Sequence, residues 1–353
     1  MTKKNMTRKE IAAMAGVSVS VVSRALNNSG YVAADKKARI LRLAEDNGYV
    51  PHPVAMSLQQ QRTGQVLFFC KDLHNSFNID LYYSMVNAAR ERGYMALINA
   101  NVTFEDIRGM MVDGIILQNE FFVRKYAESY GKTYHLPAVG VSYGNLETLP
   151  ASIPVVEWDL GAGMEQAIHY LQDRGHTRIA YAAPYNFESS NARSIAWKNQ
   201  MGPVLGNRLE RYYLDTSTDS PDGLMIADYE DPKEWKNEEI YHSKGRKAIE
   251  LFLERQLNAT AIIAFNDEFA MGMMQTLHSC GIRVPEELSI ISFDGSYRST
   301  TSAPSLVSIG PDYRQCGEMV VNTLLDRVEG KRIHYFARVR GYLREGDSVR
   351  ALR

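Results

Sequence analysis

The sequence is poor in cysteine and has no long hydrophobic run. Its three cysteines, Cys70, Cys280 and Cys316, are far apart and form no Cys-x-x-Cys pair, which argues against a disulfide framework and against a zinc site. We expect them to be buried thiols in a reducing compartment. No 18-residue stretch is apolar throughout and no apolar segment follows the charged N-terminus, so neither a membrane span nor a secretory signal is predicted. We therefore expect a cytoplasmic protein.

Glycine and proline are not enriched in the sequence. The 25 glycines and 12 prolines among 353 residues are too few for a collagen-like or low-complexity chain. Hydrophobic residues make up 45% and charged residues 23%, as in ordinary globular proteins. At roughly 150 residues per domain, the length predicts about two domains with ample core.

The charges are unevenly distributed along the chain. Residues 1–62 contain ten basic and four acidic side chains, whereas the remaining residues contain 30 basic and 37 acidic ones. A small basic head on a larger acidic body suggests a module that binds a polyanion. The charge pattern is equally compatible with the solvated face of a helical subdomain, so the residues within the head must decide.

The head has the pattern of a helix-turn-helix. Thr7 and Glu10 form a capping box before an apolar run that ends at Gly16. A second helix is predicted from a Ser18 cap through Leu26, where the sequence Asn-Asn-Ser-Gly stops it. A third helix is predicted at 35–47, with Gly48 as its left-handed cap.

The second helix has two unlike faces. At 100° per residue, Val21, Val22, Ala25 and Leu26 share one side, and the other side is mostly polar. We predict that the polar side binds DNA in the major groove, with Arg24 reading a guanine edge. Arg24 could instead contact phosphate or solvent only. The predicted DNA-binding residues on this helix are Val19, Ser20, Ser23, Arg24 and Asn27.

A hinge follows the head. Pro51 and Pro53 forbid a continuous helix, and residues 54–60 could form one short helix before a polar linker. Isolated helices of this length are marginal in water. The predicted domains are a helix-turn-helix DNA-binding domain at 1–50, a hinge helix and linker at 51–64, and an effector-binding and dimerisation domain at 65–353.

The body alternates short apolar runs with helical stretches. This alternation predicts parallel sheets with crossover helices, and its extent predicts two α/β lobes with a cleft between them. The pattern resumes with the run Pro-Val-Val-Glu-Trp-Asp at 154–159. Ligands of such folds bind beyond the carboxyl ends of the strands. The predicted effector-binding residues are Asp72, Asn75, Phe77, Gln118, Ser142, Asn191, Arg193, Tyr229, Asn266 and Asp294, with Tyr185 nearby.

This mixture of amides, carboxylates and aromatic rings suits a neutral sugar. Sugar hydroxyls need donors and acceptors, and their C–H faces stack on rings. Several of these residues, Asn266 and Asp294 among them, could instead cap turns at strand ends.

Head and body together resemble the lactose/galactose-repressor family of bacterial transcription regulators. The resemblance rests on the run KEIAAMAGVSVSVVSRALNN, on GYVPHPVA and AMSL after it, and on VDGIILQ, FNDEFAMGMMQTL and GIRVPEELSIISFDG in the body. It implies a fold of two lobes like those of periplasmic sugar-binding proteins. It also implies base reading by Val19, Ser20 and Arg24, and effector hydrogen bonds from Asn266 and Asp294. Leu58 would be a hinge wedge between base pairs in the minor groove.

The sequence departs from the family pattern at several places. Val19 offers only apolar contact, and Met56 stands where an arginine is common. The stretch 100–112 is too short for a full helix, and 228–244 resembles an insertion near the cleft. Pro311 and Asn191 occupy positions where polar or basic ligand contacts are common. These departures predict an effector unlike that of the best-known members.

Catalytic motifs do not hold up. Gly140–Gly144 (GVSYG) matches the nucleophile elbow of serine hydrolases, but the following NLETLPASIP has two prolines and no helical period. His176 is predicted to anchor a turn between a helix and a strand. We predict no catalytic residues, no cofactor and no metal.

The sequence therefore predicts a ligand-responsive repressor of carbohydrate-utilisation genes. It would bind double-stranded operator DNA as a homodimer, since one small head makes too few contacts and two-fold proteins read palindromic sites. A sugar effector would release it, and no membrane is involved. The alternative is a cytoplasmic sugar-binding or hydrolytic protein whose basic head serves only for docking.

Overall fold

The chain forms two compact units, Met1–Thr63 and Gly64–Arg353. The computed structural model describes residues 6–50, 57, 61–70, 73, 75–100, 104–130, 136–144, 149–217 and 237–352. The first unit is here called the head and the second the body. No helix among these residues has both the length and the apolar character needed to cross a membrane.

Residues 6–50 of the head form three helices, α1 (Arg8–Ala15), α2 (Val19–Leu26) and α3 (Ala34–Asp46). The predicted capping box is confirmed, because Thr7 Oγ1 accepts from the Glu10 amide (3.3 Å) and Glu10 Oε2 accepts from the Thr7 amide (2.7 Å). Gly16 ends α1 with a positive φ of 65°. Ser18 precedes α2 without a side-chain cap bond, contrary to the prediction, since its hydroxyl lies 2.8 Å from the Ser20 hydroxyl instead.

A small apolar core holds these helices together. Its fully enclosed members are small or β-branched side chains: Ile11, Ala12, Ala15, Val22, Ala25, Ile40 and Ala44. The predicted face of α2 is confirmed, since Val22 and Ala25 are buried while Val21 and Leu26 pack partly buried against the same core.

The body contains two six-stranded sheets. The first has the order β11-β5-β4-β3-β1-β2 and is parallel throughout. Its strands are β1 (Gln65–Phe69), β2 (Met95–Asn99), β3 (Gly114–Leu117), β4 (Ala138–Ser142), β5 (Val155–Trp158) and β11 (Phe336–Val339). With the helices α4 (Ser76–Glu91), α5 (Glu120–Tyr130) and α11 (Tyr313–Val328), it forms the first lobe.

The second sheet has the order β12-β10-β9-β8-β6-β7, and only β12 runs antiparallel to its neighbour among the described strands. Its strands are β6 (Ile179–Ala183), β7 (Tyr213–Asp215), β8 (Ala261–Ala264), β9 (Ser289–Phe293), β10 (Val307–Pro311) and β12 (Gly341–Arg344). The second lobe adds α6 (Leu160–Asp173), α7 (Ala192–Leu205), α8 (Asn237–Glu254), α9 (Asp267–Ser279) and α10 (Tyr297–Thr301).

The chain passes between the two lobes three times. It crosses after β5, returns after β10 so that α11 packs on α4 and on strands β3 and β4, and crosses again between β11 and β12. Strand β5, from the run at 154–159 where the pattern resumes, belongs to the first lobe, because it pairs with β4 and β11 of the first sheet. Strand pairing decides this membership, and an apolar run alone does not reveal it.

The structure also bears on the predictions for the stretch 100–112, for the three cysteines and for His176. Among the described residues 104–112, the stretch 100–112 forms a short 3₁₀ helix, Glu105–Gly109, in agreement with the prediction that it is too short for a full helix. Cys70 and Cys316 are buried, but Cys280 is exposed, because it follows α9 at the surface. His176 is fully buried between α6 and β6, with its ring nitrogens 2.9 Å from Thr260 Oγ1 and from the Arg350 carbonyl oxygen, which confirms its anchoring role.

Candidate functional site

The outward face of α2 in the head is polar and accessible. Ser20 and Arg24 are exposed, and Val19 is 44% exposed although it is apolar. Ser23 and Asn27 are half-buried, and the Ser23 hydroxyl accepts from Arg8 Nη1 at 3.3 Å and from Asn27 Nδ2 at 3.5 Å. Five predicted DNA-binding residues thus lie on one side of α2, and three of them are exposed. Leu58 and Met56 lie outside the described residues.

Between the two lobes of the body lies a cavity of about 640 Å³, within the usual size range of small-molecule sites. Its walls carry amides, hydroxyls, rings and both signs of charge. The lining residues are Asn75, Phe77, Asn78, Gln118, Asn119, Glu120, Phe121, Arg124, Tyr143, Trp158, Leu160, Tyr185, Asn186, Glu188, Ser189, Ser190, Asn191, Ala192, Arg193, Tyr241, Phe265, Asn266 and Asp294.

Four helices begin at this cavity, and an asparagine precedes each of them. The side-chain oxygens of these asparagines accept from backbone amides two or three residues later, at 2.9 to 3.1 Å. The four are Asn75 before α4, Asn119 before α5, Asn191 before α7 and Asn266 before α9. Because parallel strands deliver their helices from the same edge of a sheet, both lobes present helix N-termini to the cavity. Each cap also has a side-chain amide that can donate to a ligand.

The carboxylate of Glu120 in the first lobe is held by Ser142, the last residue of β4, and by Tyr143, which follows it. Glu120 Oε1 accepts from the Ser142 hydroxyl at 2.7 Å and from the Tyr143 amide at 2.6 Å. Ser142 is fully buried and does not line the cavity, contrary to the expectation that it contacts the effector, because its hydroxyl is used to hold Glu120. Its bonding to a carboxylate also differs from the serine–histidine pair of a hydrolase.

Aromatic rings from both lobes of the body line the cavity. In the first lobe, the Phe77 and Trp158 rings are stacked with centroids 5.3 Å apart and planes 11° apart. In the second lobe, the Arg193 guanidinium lies 3.7 Å from the Phe265 ring centroid, and Tyr185 meets that ring edge-on at 5.4 Å. Such rings offer apolar faces beside polar donors and acceptors.

Two carboxyl groups of the second lobe, those of Asp267 and Asp294, are buried. Asp267 accepts from the hydroxyls of Ser292, Ser296 and Ser308 and from the Ser296 amide. Burial, and then the nearby charge of Asp267, raise the pKa of Asp294 well above its usual range, while Arg193 opposes the shift. Asp294 therefore takes up a proton more readily than a surface aspartate does, so its carboxyl can donate as well as accept. Its φ of +100° is rare for a residue with a side chain.

The structure brings seven of the ten predicted effector residues to the cavity wall: Asn75, Phe77, Gln118, Asn191, Arg193, Asn266 and Asp294. Ser142 lies behind the wall, and Asp72 and Tyr229 lie outside the described residues. For all ten residues, contact with an effector remains a prediction. The nearby Tyr185 lines the cavity as well.

The sequence did not predict several residues of the cavity wall that do not directly follow a strand. Asn78, Glu120 and Arg124 follow the helix caps by one to five residues, a spacing that could have identified them once the caps were recognised. Trp158 and Tyr241 had no such signal. Trp158 ends β5, where the chain crosses to the second lobe, and α8 brings Tyr241 to the cavity. No group of three or more histidine, cysteine, aspartate or glutamate side chains within the described ranges is arranged to hold a metal ion.

Comparisons with known proteins agree with both units. Residues 7–52 match the family model described as bacterial regulatory proteins, lacI family, and residues 168–349 match the periplasmic binding protein-like domain. The HTH-type transcriptional repressor CytR of Escherichia coli K12 is 26% identical over 335 residues, covering 93% of this chain and 91% of the relative.

Solved structures share the fold over nearly the whole chain. The lac repressor dimer bound to operator and the anti-inducer ONPF aligns with a TM-score of 0.75 at 18% identity, covering 99% of this chain and all of that one. The complex of the transcriptional regulator CelR with cellobiose aligns with a TM-score of 0.62 at 20% identity, covering 98% of this chain and all of that one. The first family model covers the helical head, and the second covers just over half of the chain. This protein therefore belongs to the lacI family of bacterial regulatory proteins and is a ligand-responsive DNA-binding regulator of transcription, not an enzyme.

Proposed function

We propose that this protein represses carbohydrate-utilisation genes and that a sugar effector releases it from a palindromic operator. The observation that carries the proposal is the cavity between the lobes, whose walls combine asparagine amides with stacked aromatic rings. This combination suits a sugar, because hydroxyl groups need donors and acceptors and C–H faces pack on rings.

The size of the cavity supports an effector larger than a single small ion or metabolite fragment. Ligand sites of roughly 300 to 1,000 Å³ take molecules of drug or oligosaccharide size, and this cavity has about 640 Å³. The transcriptional regulator CelR, which shares this fold, has a solved structure in complex with cellobiose. We infer a mono- or disaccharide that contacts Phe77 in the first lobe and Arg193, Asn266 and Asp294 in the second.

On the DNA side, we propose that Arg24 reads a base edge in the major groove. Ser20 and Val19 lie beside it on the same exposed face of α2, and arginine with guanine is the commonest specific pairing. Ser23, Asn27 and the hinge residue Leu58 complete the proposed contacts. We propose a homodimer, because two heads related by two-fold symmetry can read both halves of a palindrome. We also propose that it acts in the cytoplasm.

Release requires the effector to prefer one arrangement of the lobes. A ligand shifts an equilibrium only by its difference in affinity for the two states. The lobes are linked beside the cavity by hydrogen bonds from the Ser76 amide to Glu268 and from the Tyr297 amide to Asp80, both 3.1 Å. We propose that the effector closes the lobes, changes such contacts and lowers operator affinity.

Fluorescence anisotropy of the full-length protein on its own upstream DNA tests this function. We expect tight binding that weakens steeply with salt and that one member of a panel of mono- and disaccharides, including cellobiose and ribose, abolishes. Binding that is equal on random DNA and indifferent to every sugar would contradict the proposal. Tighter DNA binding in the presence of a sugar would reverse its sign.

Arg24→Ala separates base reading from charge. We expect the change to cost about 1 to 3 kcal/mol on the operator and little on random DNA. Arg42→Ala is the matched control, since Arg42 is an exposed arginine of the same head on α3. An equal loss on both DNAs for Arg24→Ala would show that Arg24 contacts only phosphate.

A further inference from the structure

The turn that follows α2, Asn27–Gly30, folds back toward the helix it ends. The Ser29 amide donates to the Arg24 carbonyl at 3.0 Å, and Asn28 and Gly30 both have positive φ, 51° and 66°. Lys37 Nζ donates to the Asn28 side-chain oxygen, which ties the turn to α3. The turn is therefore held in place from both sides, by its own helix and by the next one.

This turn brings Gly30 against the side chain of Arg24. A β-carbon placed on Gly30 would lie 3.3 Å from Arg24 Cδ and 3.9 Å from Arg24 Cγ. Arg24 Nε in turn donates to the Ser20 carbonyl, one helical turn earlier, at 3.4 Å. The methylene stem of Arg24 thus lies between α2 and the turn although the residue is exposed.

We propose that Gly30 is a positioning residue for Arg24, in that the absence of a side chain at Gly30 allows the Arg24 stem to lie ordered against the turn before DNA is bound. The inference rests on the proposed role of Arg24 in base reading. Ordering a long side chain costs conformational entropy, and a side chain that is already ordered loses less on binding. A β-carbon at Gly30 would lie 3.3 Å from Arg24 Cδ, closer than such contacts normally are, so the stem would have to move by a few tenths of an ångström from this position. We expect this shift to weaken the ordering of the stem and so to reduce the advantage.

Gly48 supplies a matched control. Its φ of 60° is close to that of Gly30, and a β-carbon on Gly48 would meet no atom within 4 Å. Alanine at either position therefore carries a similar backbone cost, and only the substitution at Gly30 meets Arg24. Gly30→Asn is a second variant, because asparagine tolerates positive φ better than alanine does and still carries a β-carbon.

The first measurement is the affinity of each full-length variant for the operator and for random DNA. We expect Gly30→Ala and Gly30→Asn to weaken operator binding by about threefold to tenfold, the effect of immobilising one long side chain, and to leave random DNA unchanged. Gly48→Ala should retain wild-type affinity for both DNAs. In an Arg24→Ala background, Gly30→Ala should cause no further loss. Equal losses for Gly30→Ala and Gly48→Ala, with unchanged helicity, would overturn the inference.

The second measurement needs no DNA. ¹⁵N relaxation of the arginine Nε–H groups in the free protein reports how restricted each side chain is. We expect Arg24 to be more restricted than Arg42 in the wild type and in Gly48→Ala, and to become mobile in Gly30→Ala. An Arg24 as mobile as Arg42 in the wild type would refute the positioning role. If Arg24→Ala leaves operator affinity unchanged, base reading fails instead, and relaxation still decides the positioning.

Discussion

The head and the body differ in how their functional groups are placed. The head presents its polar side chains on one exposed face of a single helix, α2, whose other face is buried. The body collects its polar groups where four helices from two sheets begin. A helix face follows from local periodicity, whereas a meeting of helix N-termini follows from strand order. The first kind of site can therefore be located from sequence more completely than the second.

The two units also differ in the size of their cores. Four of the seven enclosed core residues of the head are alanines, and the body encloses large side chains such as Trp197, Tyr181 and Phe68. Small domains bury little apolar surface, so they retain a small free energy of folding. The head consequently depends on a few side chains, while the body can absorb the loss of one.

Ile40→Ala should have the largest effect of the substitutions that test this difference between the cores. Ile40 of α3 is fully buried in the head, and truncating such a side chain costs about 2 to 5 kcal/mol. Because a unit of this size has little more stability than that, we expect the head to unfold and operator binding to vanish. Circular dichroism and anisotropy measure this. Leu41→Ala is the control, since Leu41 is adjacent and 43% exposed. Wild-type operator affinity in Ile40→Ala would refute the small-core argument.

Ile263→Ala applies the same truncation to the body. Ile263 is fully buried in β8, between β6 and β9. We expect a loss of about 2 to 5 kcal/mol in the free energy of unfolding, seen as a lower urea midpoint of the body, while the native body and operator binding at low urea persist. A body that is unfolded without urea would contradict the difference drawn between the two cores.

The smallest effect concerns His176 of the body. The Arg350 carbonyl can only accept, so His176 Nε2 donates to it, and in the neutral ring Nδ1 then accepts from the Thr260 hydroxyl. Burial lowers the pKa of His176 from 6.5, the charges of Arg350 and Arg174 add to this, and the hydrogen bond to Arg350 opposes it. Because the unfolded ring takes up protons first, the stabilisation is complete above about pH 6.5 and is lost as the pH falls through the lower pKa of the folded state.

Urea unfolding between pH 7.5 and 5.5 measures this dependence. We expect the free energy of unfolding to fall more steeply toward pH 5.5 in the wild type than in His176→Gln, which cannot take up this proton. Identical slopes for the two proteins would show that His176 does not carry the dependence.

Local sequence signals predicted most of the elements and part of the cavity. The capping box of α1, the two faces of α2 and the alternation of strands and helices in the body all depend on neighbours within about four residues, and the structure confirms them. Asn75, Gln118 and Asn266 were identified because each closely follows a strand. Ser142 was misplaced for the same reason, since a strand end shows where a residue lies but not whether its hydroxyl is used by a neighbour such as Glu120.

By itself the sequence determined the basic helix-turn-helix head, the α/β body with two lobes, and the family, because capping, periodicity and motif spacing act over short stretches of chain. Only the tertiary structure decided that β5 belongs to the first lobe, that α11 returns to it, and that Trp158 and Tyr241 reach the cavity. It also decided that Gly30 meets Arg24. These contacts depend on strand pairing and chain reversals, which join residues that no local pattern connects.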